Sequence, residues 1–413
     1  MFFTRLTPST VKSVVATGLA AALVASAGAT NALAQLNPFI RGPILSVNDL
    51  RGDFVAAGCS LRGTGGTGTI TVVGIPGGAF VKEALLYWAV LDDVQTAQAG
   101  QLTFSSLSAN RAVTGALIGT SAGPCGSTMT TAFVYRADVT PWVTGNGNYT
   151  ISGAYDSGSV GVAPVTEGAS LVIIYSNLAS ANRDIVVYDG AGVANSPGAE
   201  VASTLTFFNA TAPVTGASIC FIAADGEPAL TDSALVNGLT IAANPFDGSD
   251  PAPGVDYWDT DTFVATGFLT SGATSVTSAI RANTDCLVGV ATPFSVTSPY
   301  PMVDIVTESL TPLVPQGTRF TMRITASNTT ASTVPIAARI DVYRGPGGLV
   351  GTMLQNRGGN IPAGSSIQQN FGRNIRAGVP PGLVMQPLYV LTTITNRLSG
   401  EFIDDDYVIM YIQ

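Results

Sequence analysis

From residue 35 onward the sequence is a succession of short runs rich in Thr, Val, Ile and aromatic residues, each closed by Gly, Pro, Asn or Asp. Thr69–Val73, Leu85–Leu91, Asn148–Ser152, Leu171–Tyr175, Ile185–Tyr188 and Ile219–Ala223 are examples. Such runs make strands, because β-branched and aromatic side chains fit a pleated surface and the closing residues fit turns. No stretch repeats its apolar residues at the helical period with capping residues at its ends, so little helix is expected. The fold class is therefore all-β, read as tandem antiparallel β-sandwiches. Leu85-Leu86-Tyr87-Trp88-Ala89-Val90-Leu91 is the most telling run because it does not alternate. A strand apolar on both faces belongs in the middle of a sandwich.

A weak internal repeat divides the chain. Val81–Trp88, ending at Asp92, aligns with Val214–Phe221, ending at Asp225, at an offset of 133. Val139–Gly145 aligns with Ala265–Ser271 at an offset of 126. Two related jelly-roll-like units are expected, 45–178 and 179–297, either as separate domains or as halves of one body. A third unit, 298–413, alternates clearly in Phe320–Ala326 and Ala338–Tyr343. Period 2 with polar residues outward marks a sheet covered on one face. Several short strands in that length suggest an immunoglobulin-like sandwich, here without cysteine. Residues 35–44 read as a linker.

The first 34 residues read as a secretory signal peptide. Arg5 and Lys12 precede an Ala/Val-rich apolar run from Val14 to about Ala27, and Ala32-Leu33-Ala34 is a small-x-small cleavage signal. No later run is long enough for a membrane helix, so no transmembrane span is expected after processing. Processing moves the formal charge from −9 to −11 and leaves Lys82 as the sole lysine. The expected location is secreted, extracellular or cell-surface, with the periplasm as an alternative. Four cysteines follow the signal: Cys59, Cys125, Cys220 and Cys286. An even count in an exported chain argues for disulfides. Of three possible pairings, Cys59–Cys125 and Cys220–Cys286 are favoured, since each closes a 66-residue gap inside one repeat.

Charged residues are only 11% of the chain, against about 25% in an ordinary globular protein. The acidic balance gives no support to nucleic-acid binding. The complete lack of histidine removes Ser-His-Asp and Cys-His catalysis, His-ligated zinc or haem, and histidine pH switches.

Several stretches resemble an uncharacterised group of exported bacterial and archaeal surface β-sandwich proteins. They are Val81–Trp88, Tyr135–Thr140, Glu167–Tyr175, Val187–Gly190 and Asp256–Phe263, together spanning about residues 80–290. The resemblance implies a cell-surface location beside immunoglobulin-like modules. It implies no catalytic residue, because no activity is established for that group.

Asp247, Asp250, Asp256, Asp259 and Asp261 lie within fifteen residues of loop-like sequence. Ca²⁺ takes six to eight oxygen ligands, so this cluster is the candidate metal site. The competing reading is a solvated loop whose Asp side chains make turns. Asp259 and Asp261 share strand parity, as a glycosidase carboxylate pair would require, though no cleft is apparent. Trp258 is the tryptophan expected to offer a sugar-stacking surface, while Trp88 and Trp142 read as core. Asp404-Asp405-Asp406 reads as a hairpin loop or bulge. Arg51-Gly52-Asp53, an integrin-type tripeptide, reads as a turn before the first strand. An isopeptide link would need a buried lysine, and Lys82, at a strand start, is expected at the surface.

These features lead to a secreted or surface-displayed non-enzymatic protein acting in adhesion, envelope structure or matrix assembly. Its partners would be a surface glycan or protein, or a second copy through exposed strand edges. A Ca²⁺-dependent carbohydrate-binding module centred on 247–263 is the first alternative, and a glycan hydrolase the second.

Overall fold

The structure is a computed structural model describing residues 35–39, 47–107, 110–122, 129–159, 161–249, 257–344 and 348–413. It is built almost wholly of strands. The first part holds β1 (Asn37–Pro38), β2 (Val47–Ser60), β3 (Gly68–Val72), β4 (Phe80–Asp92), β5 (Gln101–Ser105), β6 (Asn110–Thr114), β7 (Ala116–Ala122), β8 (Thr131–Asp138), β9 (Gly147–Ser152) and β10 (Val165–Ser176). The second holds β11 (Asn182–Ala194), β12 (Glu200–Leu205), β13 (Ala217–Ala224), β14 (Asp232–Val236), β15 (Leu239–Ala243), β16 (Trp258–Val264), β17 (Val276–Ala282) and β18 (Leu287–Thr297).

In the first part, β2-β10-β4-β8 forms one sheet and β3-β9-β5-β6 the other. In the second, β11-β18-β13-β16 forms one sheet and β12-β17-β14-β15 the other. The order is the same in both parts, strand for strand. Each is a jelly roll, a double sheet that leaves few strand edges open. Among the described residues, β1 and β7 have no counterpart in the second part. The two larger sheets are joined, because β2 pairs antiparallel with β11 at Arg51↔Asn182 and Leu50↔Arg183. The two jelly rolls therefore share one continuous sheet.

That sheet folds back on itself, with β7 approaching β11 and β16 approaching β2. Its side chains then divide between three apolar layers. Ala84, Leu86, Trp88 and Val90 of β4 enter the core of the first jelly roll. Leu85, Tyr87, Ala89 and Leu91 enter a core between the two jelly rolls. In β13, Ile219, Phe221 and Ala223 enter the second jelly roll's own core, while Cys220, Ile222 and Ala224 face the shared one. Every residue of β10 and of β18 is buried. This is the physical reason the Leu85–Leu91 run does not alternate: both faces of the strand meet apolar partners.

The third part holds β19 (Val303–Ser309), β20 (Leu313–Val314), β21 (Arg319–Asn328), β22 (Val334–Arg344), β23 (Leu349–Ile361), β24 (Ser366–Asn374), β25 (Leu388–Asn396) and β26 (Phe402–Ile412). Sheet β19-β21-β24 packs on β20-β26-β25-β22-β23, with β20 parallel to β26, an immunoglobulin-like arrangement. Val390, Val408 and Met410 fill its interior. Tyr389, Leu391, Tyr407, Ile409 and Tyr411, on the opposite face, extend the core between the jelly rolls. Asp404–Asp406 lie within β26 instead of a hairpin loop, beside the register shift at Ile394/Thr395. Arg51-Gly52-Asp53 lies inside β2 instead of a turn, and a Cβ at Gly52 would stand 1.9 Å from the Tyr175 carbonyl oxygen.

Neither expected disulfide pairing is formed. Cys59 and Cys220 are buried thiols, and Cys125 lies outside the described residues. Cys286 is not joined to Cys220. The favoured pairing placed each bridge inside one repeat. Cys59 instead packs in the first jelly roll's core, its Sγ 2.8 Å from where a Cβ on Gly68 would stand. Cys220 packs in the core between the jelly rolls. Non-reducing peptide mapping should find neither a Cys59–Cys125 nor a Cys220–Cys286 bridge. Either bridge would overturn this assignment.

Candidate functional site

Few charges are available, and five of the cations, Arg51, Arg62, Lys82, Arg136 and Arg183, lie where the three parts meet. Arg62, just past β2, is a hub. Its Nη1 lies 2.8 Å from Asp225 Oδ1 in the second jelly roll and 3.3 Å from Glu167 Oε2 in the first. The guanidinium stacks 3.8 Å over the Tyr257 ring. Glu167 reaches this place because β10 shifts register between Thr166 and Gly168. Asp225 does so with a positive φ of 67°, its N–H donating to the Tyr257 carbonyl. One cation serves two buried carboxyls. Burial, and then the neighbouring Asp225 charge, holds Glu167 well above the usual carboxylate range. Burial raises Asp225 to about 7 against the pull of Arg62.

A second seam joins the same two parts through Arg136 and Asp189, an ion pair to which the Tyr87 hydroxyl donates at 3.0 Å. Arg183 and Asp53 pair at 3.2 Å across the β2–β11 junction.

The immunoglobulin-like part is tied on by two further pairs. Arg51 Nε lies 2.6 Å from Asp304 Oδ2. Lys82 Nζ lies 2.7 Å from Asp406 Oδ2 and donates to the carbonyls of Thr307 and Tyr407, each at 2.7 Å. Three acceptors at this distance satisfy the three N–H bonds of an ammonium. Lys82 is only 3% exposed, which corrects the expectation of a surface lysine. Burial lowers its pKa, and Asp406 opposes that shift.

Where all three parts converge, Asp49, Asp184, Asp304 and Asp404 come together. Asp184 accepts from the Asp49 and Asn209 N–H groups at 2.9 and 2.7 Å. Asn182 Nδ2 donates to Asp49 Oδ1 at 3.0 Å. A cavity of about 440 Å³ lined by Asn48, Asp49, Asp184, Asn209, Ser298 and Tyr300 opens beside them. Burial first, and then neighbouring carboxylates, raises Asp49 to about 6 and Asp404 to about 10.

The sequence-derived metal set is partly dispersed and partly enlarged. Asp250 and Asp256 lie outside the described residues. Asp259 is fully buried in β16, and its Oδ1 accepts from the Gly248 and Ser249 N–H groups at 2.9 and 3.2 Å. It therefore clamps the loop before it. Asp247 and Asp261 instead lie within electrostatic reach of Asp232, at the start of β14, as does Asp285 before β18. Burial and then these charges raise Asp232 to about 7. Asp232 Oδ2 and Asp247 Oδ1 are buried without a hydrogen-bond partner among the described residues. No group of three or more carboxylates among the described residues is arranged to hold a metal ion. Asp232, at the start of β14, and Asp285, in the turn before β18, are distant along the chain from 247–263, so no local spacing reveals them.

Trp258 is not a sugar platform. It is fully buried, its Nε1 donates to Ser170 Oγ at 2.8 Å, and its ring covers Gly168. A Cβ on Gly168 would stand 2.3 Å from the ring. The local sequence, with Asp256, Tyr257 and Asp259 around it, looked polar. The register of β16 turns the indole into the core between the jelly rolls.

No protein-family model and no curated protein matches the chain. Among solved structures, a calcium-binding mutant of Bacteroides uniformis β-glucuronidase 2 is 14% identical over 55% of this chain and 26% of its own, with a TM-score of 0.22. A glycosyl hydrolase family 2 member from Bacteroides cellulosilyticus is 12% identical over 55% of this chain and 28% of its own, with a TM-score of 0.24. The CARDB domain of a Pyrococcus furiosus protein, in complex with di-metal ions, is 8% identical over 27% of this chain and 89% of its own, with a TM-score of 0.22. The chain thus spans about a quarter of the length of the glycosidases. Likeness at this level carries no argument about activity. Among the described residues no helix is long and apolar enough to cross a membrane.

Asp225, Asp232, Asp49, Asp285 and Asp304 all have folded pKa values of about 6–7, above their unfolded value. Their contribution is complete below about pH 4 and is lost as pH rises through 6–7. With no histidine to titrate in that window, metal-free protein should melt about 5 °C higher at pH 5 than at pH 7.5. A melting temperature that rises over that interval contradicts these assignments. Separately, Gly168→Ala should lower stability by about 1–3 kcal/mol through overpacking against Trp258, read as a shifted urea midpoint.

Proposed function

We propose that the protein is a non-enzymatic, secreted or cell-surface β-sandwich protein with a structural role in adhesion, envelope structure or matrix assembly. One observation carries this reading. The chain has few charges, and Arg51, Arg62, Lys82, Arg136 and Arg183 all enter ion pairs that cross between its three parts. Breaking a buried pair leaves an uncompensated charge, so such seams resist separation. A body welded in this way suits holding a surface in place. The sequence resemblance and the signal-like leader agree with display outside the cytoplasm.

The experiment is protease shaving of intact cells, with fractionation and an attachment or envelope-integrity assay of a deletion strain. Recovery of processed protein at the surface or in the medium, with a defect in attachment or envelope, supports the reading. Recovery of unprocessed protein in the cytosol overturns it.

A second reading is Ca²⁺-dependent carbohydrate binding near 247–263. The buried, unpartnered oxygens of Asp232 and Asp247 favour it, because a cation would satisfy them. Ca²⁺ raising the melting temperature at pH 7.5, with chelator-sensitive binding on a glycan array, would support it. No thermal shift with Ca²⁺ counts against it.

The weld itself is testable. Lys82→Met should cost about 3–5 kcal/mol, the usual loss when one partner of a buried ion pair is removed. It should split one melting transition into two, with the immunoglobulin-like part separating first. A single transition unchanged from wild type would show that this pair does not couple the parts.

A further inference from the structure

The immunoglobulin-like sandwich has two lateral sides, and they are finished differently. Where β19 faces β26, the opening is filled from outside the unit by Lys82, bound to Thr307 of β19 and to Asp406 and Tyr407 of β26. Where β23 faces β24, a groove of about 130 Å³ remains between the sheets. Ile324, Ala326, Ile336, Leu354, Ile367 and Phe371 give it an apolar lining. At its floor Thr392 is fully buried, and its hydroxyl has no hydrogen-bond partner among the described residues. A buried hydroxyl left this way costs free energy that a ligand group in the groove would return.

The groove is bordered by an unprotected strand. β24 is the last strand of its sheet and pairs with β21 without a break from Ser366↔Ser327 to Asn374↔Arg319. Its nine residues contain no proline, lysine or bulge, and their one charge, Arg373, lies near the strand's end. β23, the facing edge, shifts register three times against β22 and so is bent. Ile367, on β24, is 42% exposed at the mouth.

Charge identifies the occupant. Seven of the eight arginines in 298–413 are exposed, while Glu401 is the one exposed carboxylate there. Arg357 lines the groove, and Arg373 of β24 spans it to donate to the Met353 carbonyl of β23 at 3.2 Å. Arg357 and Arg373 of one copy would repel the same pair of a second, whereas arginine forks match carboxylates.

We propose that the β24 edge is a docking strand for an extended acidic segment of a partner protein. The segment would pair with β24 as a fourth strand, laying alternate apolar side chains into the groove and its carboxylates against Arg357 and Arg373. This surface lies apart from the seams that support the structural role, and it stands whether or not the protein is displayed outside the cell.

The probe is a fluorescein-labelled nine-residue peptide alternating valine and aspartate, titrated into the mature full chain and followed by polarisation. Controls carry lysine for aspartate, or proline at the centre. We expect saturable binding of the acidic peptide and at least tenfold weaker binding of both controls. Ile367→Lys, an inward charge on the edge, should abolish binding, and Arg357→Glu should reverse the preference toward the lysine peptide. Both positions are exposed, and an unchanged melting temperature verifies folding. Absence of binding, equal binding of the proline or lysine peptide, or binding that survives Ile367→Lys overturns the proposal. A wild-type dimer in light scattering that Ile367→Lys disperses also overturns it, because the edge then belongs to a second copy.

Discussion

The architecture depends on burying both faces of a single sheet. β4, β10, β13 and β18 each send alternate side chains into different cores, one inside a jelly roll and one between them. A sheet buried on one face needs only a covering layer. A sheet buried on both faces must find a second, and here the partner is the equivalent sheet of the duplicated unit. Apolar burial contributes roughly 25 cal/mol per Å², so the shared layer is a large part of what holds the body together. The same layer continues under β25 and β26, and their tyrosines extend it to the immunoglobulin-like part.

Once the apolar layers fix the approximate packing, the few charges set the register. Apolar surfaces slide, because contact between them is nondirectional. An ion pair such as Lys82–Asp406 has one geometry, and a displaced partner would leave a buried charge unmatched. Arg62 goes further, holding Glu167 and Asp225 from different jelly rolls on one guanidinium. With two acids and one base, burial holds both carboxyls above the usual carboxylate range. These seams are therefore electrostatically poised: protonated carboxyls are tolerated inside, and their ionisation strains the junctions.

Contrasts between the two sides of the third unit follow from the same logic. A sandwich exposes its interior along both lateral sides, and each must be closed or used. The jelly roll closes one with a lysine. The other keeps an apolar lining, an orphaned hydroxyl and a straight edge strand.

The local chemistry of the residues was enough to establish the all-β class and to point to two related units and an immunoglobulin-like end. Strand propensity, turn residues and the absence of alternation in Leu85–Leu91 act over a few positions, and burial on both faces leaves its mark directly in such a run. Partnerships across the chain were not legible. Asp404–Asp406 read as a hairpin loop or bulge, and the adjacent register shift agrees with the second, but the pairing of Asp406 with Lys82, read as surface, spans 324 positions and exists only after three units stack. Trp258 looked exposed beside acidic neighbours because strand register, not local polarity, decides which face a side chain takes. The cysteine pairing failed for a related reason: equal spacing describes two independent units, whereas the sulfurs answer to a core the units share.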